Sequence, residues 1–73
     1  MKRVWLINFR SKLNLTQGEV AEAVGIARTT YAMYEQNKRT PKISTALKIA
    51  DVLGFEWQLF FEEQLHDTCK KLA

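Results

Sequence analysis

Across 73 residues there is one proline (Pro41), one cysteine (Cys69), one histidine (His66) and three glycines. Each scarcity excludes something. A lone cysteine cannot form an intramolecular disulfide, so the fold must be held by packing, and a reducing cytoplasm suits such a chain. Cys69 reads as an incidental reduced thiol and His66 as a solvent-facing side chain. No His/Cys/Asp/Glu cluster has metal-ligand spacing, no nucleophile has an activating partner, and no glycine-rich loop could cradle a phosphate. The expectation is therefore no catalytic residue, no metal, no cofactor and no enzyme activity. Long apolar runs are also missing. Val4-Trp5-Leu6-Ile7 stops at Asn8, too short for a secretory core, and nothing later approaches a membrane span. A cytoplasmic protein with no membrane partner is expected.

What is present fits one small domain. Hydrophobic residues at 47% and charged residues at 26% are ordinary for a globular chain, which argues against disorder. The net charge of +3 hides an asymmetry. Residues 1–48 hold nine Lys/Arg against three Glu, a net +6, whereas residues 49–73 hold two Lys against five acids, a net −3. A basic body with an acidic end suits a polyanion on one surface only.

Periodicity and punctuation predict an all-α chain. Leu6, Phe9 and Leu13, with Arg10 on the same face, predict a first helix over residues 3–13, stopped by a left-handed Asn14. Thr16-Gln17-Gly18-Glu19 has the form of a capping box opening a helix from Gln17 to Val24, which Gly25 ends. A third helix is expected from Arg28 to Gln36, closed at Asn37. Lys38-Arg39-Thr40-Pro41-Lys42 reads as a basic loop. A fourth helix over residues 44–53, with Ile43 at its start and Ala46, Leu47, Ile49, Ala50 and Leu53 inward, ends at Gly54. Residues 55–61 read as a short fifth helix, with a strand as the alternative because Phe55, Trp57, Leu59 and Phe61 alternate. Leu65, Cys69 and Leu72 recur at helical spacing, so residues 62–73 form either an amphipathic C-terminal helix or a frayed extension to a domain of residues 1–61.

Two short helices around a glycine corner, with a small residue in the first, make a helix-turn-helix. Here Ala21 allows close approach, Gly25 makes the corner, and Ile26 and Tyr31 face the core. That leaves Arg28, Thr29, Ala32 and Met33 outward on the third helix, side chains suited to a DNA major groove. Any helical hairpin in a bundle is the competing reading of this pattern by itself.

From Leu6 to Phe61 the sequence resembles the Cro/phage-repressor, or xenobiotic-response-element, type of helix-turn-helix. The resemblance rests on Phe9-Arg10, Leu15-Thr16-Gln17, Val20-Ala21, Gly25-Ile26, Glu35, Lys38-Arg39-Thr40-Pro41, Ile49-Ala50 and Leu53-Gly54. It implies a compact five-helix, lambda-repressor-like domain. By resemblance, Arg28, Thr29 and Met33, with Ala32 beside them, match base-facing positions. Gln17, Thr30, Tyr34, Asn37, Lys38 and Arg39 match positions that touch the DNA backbone, and Arg10 and Glu35 match a partly buried ion pair. Three departures stand out. Ala27 replaces the usual Ser or Thr cap, at a cost of about 1 kcal/mol; Asn37 replaces a glycine; and Met33 replaces a position that is often polar, shifting readout towards apolar contact.

Trp57, Phe60 and Phe61 are much aromatic surface for the end of so small a domain. Part is expected to close the core and the rest to form a dimer seam with Leu65 and Leu72. The expected function is sequence-specific duplex-DNA binding by a homodimer, most often for repression. Two alternatives stay open: an antitoxin or restriction-modification controller with a cognate protein partner, and a protein-interaction module that does not bind DNA.

Overall fold

Among the described residues, four helices stop in the same way. They are α1 (Val4–Lys12), α2 (Gln17–Val24), α3 (Arg28–Glu35) and α4 (Ile43–Leu53), in a computed structural model that describes residues 2–62. After each helix one residue turns left-handed, at Asn14 (φ 57°), Gly25 (φ 83°), Asn37 (φ 61°) and Gly54 (φ 78°). The next amide then donates to a carbonyl five residues back: Leu15 to Arg10, Ile26 to Ala21, Lys38 to Met33 and Phe55 to Ala50. This closure satisfies carbonyls that a helix end leaves without partners, and it reverses the chain within two residues. Asn and Gly occupy all four positions because they bear the left-handed region with little steric cost.

Helix starts are less uniform. Thr16 Oγ1 accepts from the Glu19 amide at 3.1 Å, and Glu19 Oε1 accepts from the Thr16 amide at 2.8 Å, completing the capping box of α2. No side-chain cap opens α1, α3 or α4. The absence at α3 is the one anticipated from Ala27.

The core lies where α2 packs on α3 and α4, with α1 laid against α3. Leu6, Val20, Tyr31, Ala46 and Ile49 are fully buried, and Ala21 retains 1% exposure. Beyond Gly54 the chain makes a turn, and residues 59–62 are helical. Leu59, Phe60 and Phe61 amides donate to carbonyls three residues earlier, the tight winding common in the first turn of a helix. The alternation of residues 55–61 is thus not a strand, and the helix starts later than expected. Its aromatics are recruited by α1: Trp5 meets Phe55 and Phe60 edge-to-face at centroid distances of 5.2 and 5.1 Å.

Some expected core positions lie outside. Ile43 is 55% exposed and Leu47 47% exposed. Periodicity put both on the apolar face of α4, but α4 touches its neighbours through the narrower Ala46, Ile49, Ala50 and Leu53 stripe. Expectations for Leu65, His66, Cys69 and Leu72 fall outside the described residues. Among the described residues, no helix is long and apolar enough to cross a membrane, and no group of metal-ligating side chains comes together.

Ala21→Leu places three extra carbons where α2 meets its neighbours, and should lower unfolding free energy by about 1–3 kcal/mol. Urea denaturation followed by circular dichroism measures this; an unchanged midpoint would mean the helices are not in close contact there.

Candidate nucleic-acid interface

The short helix α3 divides cleanly into two sides. Tyr31, Tyr34 and Glu35 are buried, whereas Arg28, Thr29 and Met33 are exposed, Met33 by 37%. Thr30 and Ala32 are half-buried at the margins. The Arg28 stem leans across the start of α2, since a methyl group built on Gly18 would stand 3.7 Å from Arg28 Cδ. Arg28 thus lies on the same surface as the N-terminal turn of α2. Past α3, Asn37, Lys38, Arg39 and then Lys42 are exposed.

The inner side is organised by one carboxylate. Arg10 Nε donates to Glu35 Oε2 at 2.6 Å and Arg10 Nη2 to Oε1 at 3.2 Å, a two-point pair between α1 and α3. Gln17 Nε2, from α2, donates to the same Oε1 at 2.9 Å. Arg10 Nη1 also donates to the Leu15 carbonyl at 2.9 Å, pinning the α1–α2 connection. Three helices therefore meet at Glu35, whose side chain is 3% exposed. Burial works to raise its pKa, but hydrogen bonds from Arg10 and Gln17 outweigh it and hold the carboxyl below its ordinary value. The Arg10 pKa is raised chiefly by the bond to Glu35. Beside them sits the Tyr31 hydroxyl, buried and without a partner in hydrogen-bonding geometry. Burial first, and then the Glu35 carboxylate, push its pKa upward, so it stays a neutral phenol.

Several residues singled out from the sequence are placed differently from their expected roles. The Gln17 amide is engaged inward by Glu35, so a phosphate would meet its remaining edge or the backbone of α2. Tyr34 is only 6% exposed and belongs to the core more than to the outer surface. Phe60, expected at a dimer seam, is 3% exposed because Trp5 and Phe55 enclose it; Trp57 and Phe61 remain half-buried.

One residue of this neighbourhood was not anticipated. Arg3, 5% exposed, donates from Nη1 to the carbonyls of Tyr34 (2.6 Å) and Arg39 (2.8 Å), and from Nη2 to Thr40 Oγ1 (2.8 Å). Its amide donates to the Glu35 carbonyl at 2.7 Å. The guanidinium carbon lies 5.4 Å from the Phe60 ring centroid. Helical spacing could not have found it, because Arg3 precedes α1 with non-helical backbone (φ −79°, ψ 81°) and its side-chain partners lie 31 to 37 positions away.

A glycine-cornered α2–α3 pair, a buried carboxylate fixing it to α1, and a basic loop after α3 define a helix-turn-helix protein. The sequence profile of the helix-turn-helix family matches residues 6–60, and the chain belongs to this family of transcriptional regulators. It is 41% identical to YqaF, an HTH-type transcriptional regulator of Bacillus subtilis, over 93% of this chain and 90% of that protein. An HTH-type transcriptional regulator of Archaeoglobus fulgidus is 38% identical over 86% of this chain and 93% of its own length. The cryptic phage CTXphi transcriptional repressor RstR of Vibrio cholerae is 40% identical over 66% of this chain, which spans 43% of that protein. No solved structure matches the chain at a significant level.

Arg10→Met leaves the Glu35 carboxylate buried without its counter-charge and should cost about 3–5 kcal/mol in unfolding free energy. A loss below about 1 kcal/mol in chemical denaturation would mean that the pair is solvated. Because the Glu35 pKa is lowered in the fold, its contribution is complete above the ordinary value of 4.5 and fades as pH falls through the folded value. Thermal unfolding between neutral and acid pH should accordingly slope downward below that value. In Glu35→Gln, less stable at neutral pH, that slope should flatten; an equal slope in both proteins would place the acid sensitivity elsewhere.

Proposed function

We propose that the protein is a sequence-specific duplex-DNA-binding regulator that represses transcription by occupying an operator. The observation carrying this reading is the ridge of Arg28, Thr29 and Met33, which stands exposed on a helix whose opposite side is locked into the core. Arg28 offers a fork for guanine, Thr29 a hydroxyl for a base or phosphate, and Met33 with Ala32 an apolar patch for thymine methyl groups. Thr30, Asn37, Lys38 and Arg39 flank the ridge as phosphate contacts, which position the helix without reading sequence. Gln17 adds a contact at the groove edge with the first amides of α2, where the helix dipole favours a phosphate.

The operator-bound form is a homodimer reading a near-palindrome, with two α3 helices about 34 Å apart. In support, exposed Ile43 and Leu47 lie on α4, and Leu47 and half-buried Trp57 line one open groove of about 480 Å³. Phe61 stands beside Trp57, with ring centroids 5.8 Å apart. This face, without Phe60, is the seam we assign to the second copy. Dimerisation makes operator occupancy respond steeply to the protein's own concentration.

Affinity for duplex DNA should fall with salt along a log–log slope near −0.9 per neutralised phosphate. With an operator selected from random duplexes, Arg28→Ala should weaken the selected site by about 1–3 kcal/mol while changing random duplex far less. Equal losses on both would reduce Arg28 to a phosphate contact; a flat salt dependence would remove DNA as the ligand.

A further inference from the structure

We propose that Arg3 is a positioning residue of the DNA-binding surface, holding the basic loop after α3 in register with the recognition ridge. The inference rests on the DNA-binding reading above and adds a residue outside the helix-turn-helix itself. Arg3 is 5% exposed, so its charge does not reach a phosphate; its effect passes through what it grips. One planar guanidinium joins the last turn of α3, at the Tyr34 carbonyl, to the loop, at the Arg39 carbonyl and Thr40 Oγ1. The Arg3 amide adds the Glu35 carbonyl, so both halves of the residue fasten the C-terminal end of α3.

The loop needs such a fastening. Asn37 is left-handed, and the main-chain bond from Lys38 to Met33 ends the helix. The carbonyl of Arg39 and the hydroxyl of Thr40 are bonded to Arg3. Lys38 and Arg39 are exposed residues with long side chains, and their reach to a phosphate depends on where their backbone stands. The ring of Phe60 over the guanidinium keeps water from one face, which strengthens the three charge-assisted bonds. A lysine could keep the charge but not the fork that spans three acceptors. Arg3 thus converts the α3 end, the loop and the 55–60 aromatics into one rigid body.

The test compares wild type, Arg3→Lys, Thr40→Val and Thr40→Ser on a random-sequence duplex of about two helical turns across a salt series. All four carry the same net charge, so lost charge cannot explain a difference. Arg3→Lys and Thr40→Val should bind more weakly, with a salt slope shallower by the equivalent of about one phosphate. Thr40→Ser, which keeps the acceptor, should retain the wild-type slope. Measurements are made well below each protein's unfolding temperature, and backbone order parameters for residues 37–40 should drop in the two weakened variants. A lower unfolding temperature with unchanged affinity and slope would show a merely structural arginine and overturn the inference alone. Absence of salt-dependent duplex binding by the wild type would instead overturn the DNA reading, and the inference with it. Thr40→Val keeps the test decisive if Arg3→Lys fails to fold.

Discussion

Burying the Glu35 carboxylate is the constraint around which the rest of the domain is arranged. Taking such a charge out of water costs several kcal/mol, and the structure tolerates it only because N–H donors converge on it from two other helices. A buried pair of this kind adds little net stability, but it is intolerant of misalignment. If α1 or α2 shifts by a fraction of a bond length, Arg10 or Gln17 loses its geometry and the carboxylate is left exposed to the low-dielectric interior. The orientation of α3 against α1 and α2 is thereby tied to hydrogen-bond directions as well as to apolar packing. What the pair secures is direction: it sets the way the far side of α3 points.

A second layer of constraint acts at the chain reversals. The four left-handed closures are local devices, requiring only that Asn or Gly follow the helix. They hold the connections short, so the helices must cross near their ends, and small residues such as Ala21 and Ala46 then become necessary where those crossings are tight. Arg3 works on the same end of α3 from a distance, adding side-chain bonds where the backbone closure stops. Local closure and long-range clamp coincide at residues 34–40, where the core gives way to the exposed basic loop.

How much of this was legible from sequence depended on how far apart the partners lie. The capping box at Thr16 and Glu19 and the left-handed positions at Asn14, Gly25, Asn37 and Gly54 depend on neighbours within about one turn, and they could be read directly. The Arg10–Glu35 pairing was indicated by family resemblance, since the two residues are 25 positions apart and no periodicity connects them. Gln17 as a further donor to Glu35, and Arg3 as a clamp on Thr40, depend on how three helices cross, which no window of sequence records. The same holds for the apolar residues: period alone put Ile43 and Leu47 inward, because it reveals the direction of a face and not how much of it a neighbour covers. Phe60 and Phe61 are adjacent and chemically alike, yet one is enclosed by Trp5 and the other is not.

The two-sidedness of α3 separates inheritance from novelty. Tyr31, Tyr34 and Glu35 hold the helix in place, while Arg28, Thr29 and Met33 stand exposed on its other side. Exchange of such exposed side chains is expected to change stability by only about half a kcal/mol. On the DNA-binding reading proposed above, lineages built on this body can drift to new targets without first relearning how to fold. The fold and the proposed readout thus rest on different sides of one helix.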